Sequence, residues 1–109
     1  MNIRLYVWQR GTAALMAVLV PIHIAVIFYA TRQGLSAADI LSRTRGSVVW
    51  AAYYGIFVAA VSIHAAIGLR NILAEWSPFG ERRCGQTAIA CGLLLAALGL
   101  RAVYAVVLS

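Results

Sequence analysis

Three stretches without a charged residue, Gly11–Tyr29, Val48–Leu69 and Cys84–Leu100, set the strongest limit on how this chain can fold. A helix needs about 20 mainly apolar residues to cross ~30 Å of hydrocarbon. The first two stretches meet that requirement outright. The third meets it if Arg101 snorkels to the interface and the helix continues through "AVYAVVL". Backbone amides in lipid must be satisfied within their own segment, which selects helices over open strands. The expected fold class is therefore an all-α integral membrane protein with three transmembrane helices, forming one domain over residues 1–109. The spans fall at about residues 5–30, 48–73 and 83–108.

Composition agrees. The chain is 63% hydrophobic and 11% charged, where soluble domains carry roughly 25% charged residues. "MNIR" before an apolar run resembles a secretory signal. The run is too long for one and no small-residue cleavage site closes it, so a retained first span is expected. The net charge of +6 comes entirely from arginine on the basic side. These arginines cluster at helix ends, which fits anionic lipid and the positive-inside rule rather than nucleic acid. Arg4, Arg10, Arg70, Arg82 and Arg83 fall on one side, and Arg32, Arg43 and Arg45 on the other. That imbalance favours a cytoplasmic N-terminus.

The connector "TRQGLSAADILSRTRGS" carries Ser36 with Asp39 three residues on, a capping-box spacing. It predicts one or two turns of interfacial helix with Leu35, Ile40 and Leu41 toward the membrane. "EWSPFGERR" supplies the second turn through Pro78 and Gly80. Cys84 and Cys91 sit two turns apart, ~10 Å, too far for a disulfide, and read as small packing residues. Gly85, Gly92 and Gly99 recur every seventh residue. Such a stripe admits a close helix neighbour, either within the chain or from a partner.

Ionisable side chains inside a span mark functional sites by default, because burying them is costly. His64 lies in "SIHAAIGLRNILAEW" with Ala60 and Gly68 one turn to either side. Small flanking residues leave room for a flat macrocycle or for a close helix. By spacing alone, haem ligation and a hydrogen-bonded structural histidine are equally compatible. His23 cannot share an iron with it. Counting from the cytoplasmic boundary at 1.5 Å per residue, His23 lies at ~27 Å and His64 at ~13 Å. Either His64 pairs with a histidine from another polypeptide, or two haems lie at different depths. The favoured role for His23 is structural, bonded near Pro21 where a carbonyl is freed; it ligates iron only if a second haem is present. Arg10 reads as an end-of-helix charge or as a cation for a propionate or a carbonyl oxygen. Arg101 is read as snorkelling to the outer surface.

"WQRGTA" opening the first span and "SIHAAIGLRNILAEW" closing the second resemble the cytochrome b and membrane-anchor subunits of succinate dehydrogenase. "GLR" is similar to the cytochrome b subunit, "QRGTA" and "HAAIG" to the smaller anchor. The resemblance implies a three-helix anchor of a succinate:quinone oxidoreductase, in electron transport from the tricarboxylic acid cycle. A flavoprotein subunit and an iron–sulfur subunit would pass electrons to membrane quinone, ubiquinone or menaquinone. It further implies haem b, with His64 as axial ligand to the iron and a second membrane-anchor subunit supplying the other histidine. Gly68 matches the glycine packed beside the haem, and Arg10 an arginine near quinone and haem propionates. Trp76 stands where a tyrosine binds a quinone oxygen, and its indole N–H can donate instead. Tyr6 replaces a serine and is a further donor to quinone. Asn71 replaces a frequent histidine, and Glu75 an aspartate. A bacterial cytoplasmic (inner) membrane location follows from the same resemblance. The second reading is a haem-free, quinone-binding structural anchor of a fumarate reductase type. A small multidrug-type transporter is disfavoured, since all three acids lie outside the spans.

Overall fold

The computed structural model describes residues 3–108. It contains α1 (Ile3–Gln33), α2 (Ala37–Thr44), α3 (Val48–Trp76) and α4 (Glu81–Val107), and no strand among the described residues. α1, α3 and α4 are each long and apolar enough to cross a membrane. The all-helical, three-span expectation is borne out, and the short connector helix is present as α2. The long helices overrun the expected spans. α1 has 31 residues, ~46 Å at 1.5 Å per residue, so its ends extend past the hydrocarbon. The molecule is correspondingly elongated, 48 × 24 × 22 Å.

α3 is the central element. It packs most extensively on α4 and also on α1, while α2 rests against α4. One end of the bundle, here the proximal end, gathers the start of α1, the end of α3 and the start of α4. The distal end holds α2.

Small residues make the α3–α4 seam. Ala60 and Ser62 of α3 and Cys84, Ala88 and Gly92 of α4 are buried. A Cβ on Gly92 would lie 2.9 Å from the Ala66 Cβ, and one on Gly99 2.6 Å from Val58. Gly85 faces open space. The seven-residue stripe is thus consumed inside the chain at Gly92 and Gly99. Without a hydrophobic drive between helices in lipid, such close backbone approach supplies the packing energy. Both cysteines are free; Cys84 is buried and its thiol donates to the Phe79 carbonyl at 3.6 Å.

Local signals set the connectors. Ser36 caps α2, accepting from the Asp39 amide at 3.0 Å and donating to the Asp39 carboxylate at 2.7 Å. Ser47 caps α3 through the Trp50 amide. Gly46 takes φ +74, a left-handed value that a side chain resists. Its amide donates to the Val107 carbonyl at 2.6 Å. The Thr44 hydroxyl lies 2.6 Å from the Val106 carbonyl. These two contacts fasten the distal loop to the last turn of α4. At the other turn, Pro78 follows the end of α3 and Glu81 opens α4, where the helix dipole favours an acid.

Most large side chains on the outer faces are exposed, Phe28, Leu93 and Leu98 among them. In a membrane-spanning chain these faces meet lipid or partner helices.

Candidate functional site

His64 sits on the face of α3 that meets α1. Its Nδ1 lies 3.2 Å from the hydroxyl of Thr12, and Thr12 is 6% exposed. That hydroxyl also lies 2.8 Å from the Trp8 carbonyl and 3.1 Å from the Gln9 carbonyl. The imidazole is half-buried and one ring nitrogen is engaged, which leaves Nε2 to serve as a ligand atom. One turn on, Gly68 faces α1, where the Gln9 side-chain nitrogen would be 3.4 Å from an added Cβ. The Gln9 Oε1 is buried without a partner. Around His64, the α1–α3 seam is therefore polar, built by Gln9, Thr12 and His64.

Thr12 and Gln9 were missed by motif reading. A signal existed: Thr12 lies about seven residues into the first span, ~10 Å from the boundary, close to the ~13 Å depth of His64.

His23 lies elsewhere. Its ring meets Tyr54 and Phe57 edge-on, with centroids 5.7 and 5.3 Å away. From Thr12, level with His64, eleven residues of α1 carry it ~16 Å toward the distal end. The two imidazoles stand at different depths, too far apart for one iron. The His23 Nδ1 is buried without a partner, so that nitrogen does not make the hydrogen bond expected near Pro21. Tyr53 instead donates to the Leu19 carbonyl at 2.6 Å. A tyrosine of α3 reaches the backbone next to the proline, whereas His23 is turned among aromatic edges. His23 also lines two hollows, of about 500 and 280 Å³, that share Ile40, Thr44 and Tyr54.

Arg10 and Tyr6 line one hollow of about 680 Å³ with Val7, Gly11, Ala13 and Ala14. Two residues turn a helix through about 200°, so Arg10 points away from α3 while Thr12 points into it. The structure brings Arg10 and Tyr6 together and sets them on the opposite side of α1 from His64. Trp76 ends α3 and is 83% exposed. By antiparallel level it lies ~9 Å beyond Tyr6 toward the proximal surface. Arg101 is exposed on α4.

Charged side chains gather at both ends of the bundle. Arg70 pairs with Glu81 at 3.5 Å, with Glu81 87% exposed, so the pair contributes at most about 1 kcal/mol. At the distal end Arg43 donates to the Gly34 carbonyl at 2.9 Å and stands 5.8 Å from the centroid of the Tyr29 ring. Among the described residues no group of three or more His, Cys, Asp or Glu side chains can hold a metal ion. Haem iron asks less of the chain, since a single imidazole serves as its axial ligand on one face.

Three apolar spans define a multi-pass membrane protein, with polar residues at one seam. A family model described as succinate dehydrogenase/fumarate reductase transmembrane subunit matches residues 2–100. The chain belongs to that family, and so to the membrane part of quinone-using enzyme complexes in which it associates with other subunits. No curated protein and no solved structure matches it.

Proposed function

We propose that this chain is a membrane anchor of a succinate:quinone oxidoreductase that holds one side of a b-type haem and helps build the quinone-reduction site. The observation that carries the reading is His64, an imidazole inside a span with Nδ1 engaged and Nε2 available. His64 would hold the iron together with a histidine of the second anchor subunit. When bound, the haem supplies one-electron transfer. The engagement of His64 on Thr12 fixes the ring at the α1–α3 seam. His23 becomes an iron ligand only in a two-haem form, and Gly68, filled by Gln9, serves the seam before any macrocycle.

Quinone falls to the other side of α1. Arg10 and Tyr6 lie one turn apart and lend a cation and a hydroxyl to one quinone oxygen, which fixes head-group orientation. Trp76 stands farther out, at the entrance. This face needs partner subunits to close it, the iron–sulfur subunit among them, fed by the flavoprotein. With five arginines at the proximal end, that end is read as cytoplasmic, in a bacterial inner membrane.

The test is a reduced-minus-oxidised spectrum of the purified complex with haem quantified. Bands of a b-type haem are expected. Their absence overturns the haem reading and leaves the haem-free, quinone-binding anchor of a fumarate reductase type. Arg10→Ala should remove a charge-assisted hydrogen bond of about 1.5–3 kcal/mol, roughly 10- to 100-fold in kcat/KM for quinone. Tyr6→Phe should cost less, about 0.5–1.5 kcal/mol. Unchanged quinone kinetics in both variants would remove this face of α1 from the site.

A further inference from the structure

The Thr12 hydroxyl has one proton and three neighbours. Two are carbonyl oxygens of its own helix, Trp8 at 2.8 Å and Gln9 at 3.1 Å, and the third is His64 Nδ1 at 3.2 Å. If the proton pointed at Nδ1, the hydroxyl oxygen would face both carbonyl oxygens with no hydrogen between them, a repulsive contact in a buried site. If it points at the Trp8 carbonyl, the hydroxyl still has a lone pair for an N–H from His64. Only the second arrangement satisfies both the Trp8 and the His64 contacts, with the Gln9 carbonyl as the longer arm of a proton shared between two carbonyls.

We infer that Thr12 is a positioning residue that holds His64 in the tautomer with the proton on Nδ1, so that Nε2 presents its lone pair before any metal arrives. The inference rests on the reading of His64 as a haem ligand and names what prepares it. A histidine free in solution prefers its proton on Nε2, the wrong nitrogen for this task. Metal-bound histidines commonly donate their other N–H to an oxygen, which fixes ring orientation and raises ligand basicity. Here the acceptor is a side-chain hydroxyl whose own proton is tied to the α1 backbone. The same bond joins α1 to α3 at the depth of the site.

Two measurements test it. The chain has only two histidines, so 15N-histidine labelling of the full chain in lipid, without haem, gives two ring patterns, with His23→Asn assigning the second. His64 is expected mainly as the Nδ1–H tautomer, with the Nε2–H form increasing in Thr12→Val and receding in Thr12→Ser. In the assembled complex, Thr12→Val should weaken haem retention about 10- to 100-fold, and Thr12→Ser should restore it. The haem potential should also rise in Thr12→Val, because a less basic imidazole stabilises ferric iron less. A merely structural Thr12 would move neither the ring pattern nor the potential. An unchanged tautomer in Thr12→Val overturns the inference while leaving the haem reading intact. A wild-type complex without haem overturns the haem reading, and the ring pattern still decides the role of Thr12.

Discussion

Replacing His64 with alanine is expected to abolish b-type absorbance from the purified complex while the three spans remain in the membrane. The two effects separate because of how His64 is bonded. Thr12 keeps its own proton on the Trp8 carbonyl, so removing the imidazole strands no buried donor. The cost to the fold is loss of packing at a half-buried position, below the 2–5 kcal/mol typical of fully buried large-to-alanine changes. On the proposed haem reading, the cost to haem is loss of the ligand itself, larger than the 10- to 100-fold expected of a supporting residue. The measurement is haem per complex beside the amount of assembled complex. Full b-type bands in His64→Ala would mean that iron is held elsewhere, and His23 would become the residue to examine.

The second large effect concerns the helix seam. Gly92→Leu should cost about 1–3 kcal/mol or more by overpacking, because the Ala66 Cβ in its path belongs to a rigid neighbouring helix. The expected result is a lower thermal midpoint of the detergent-solubilised protein and reduced accumulation in the membrane. Gly85→Ala is the matched control, since an added Cβ there meets nothing within 4 Å. It should stay within about 0.5 kcal/mol of wild type. Equal losses in both variants would show that the loss does not come from the α3–α4 contact at Gly92.

Much of this was readable before any coordinates. The uncharged runs located the three spans because lipid tolerates so few alternatives. Ser36 and Asp39 announced α2 because a cap is a local device. The glycine spacing announced a close seam. It did not tell which glycines α3 would use, because that depends on the rotation of α4 about its axis. The site was legible in part. His64 stood out as an ionisable group in an apolar run, and depth arithmetic separated it from His23. Thr12 escaped notice because a threonine in a span is ordinary, and its meaning comes from the register of α1 against α3. The resemblance put Arg10 near quinone and the propionates of a haem held by His64. The helical turn puts Arg10 and His64 on opposite sides of α1, which a string of letters hides. His23 was expected to bond near Pro21, but its Nδ1 is buried without a partner among aromatic edges.

The fastening of the distal loop also bears on how the chain is made. Thr44 and Gly46 bond to the carbonyls of Val106 and Val107, residues synthesised some sixty positions later. During synthesis α1 and α3 can enter the bilayer in order, but the loop between these two spans then has no partner for these bonds. Its closure must await delivery of the final turn of α4 across the membrane. The far side of the molecule is thus sealed only once α4 is in place, and the hydrogen bonds of one short loop record that all three spans have been inserted.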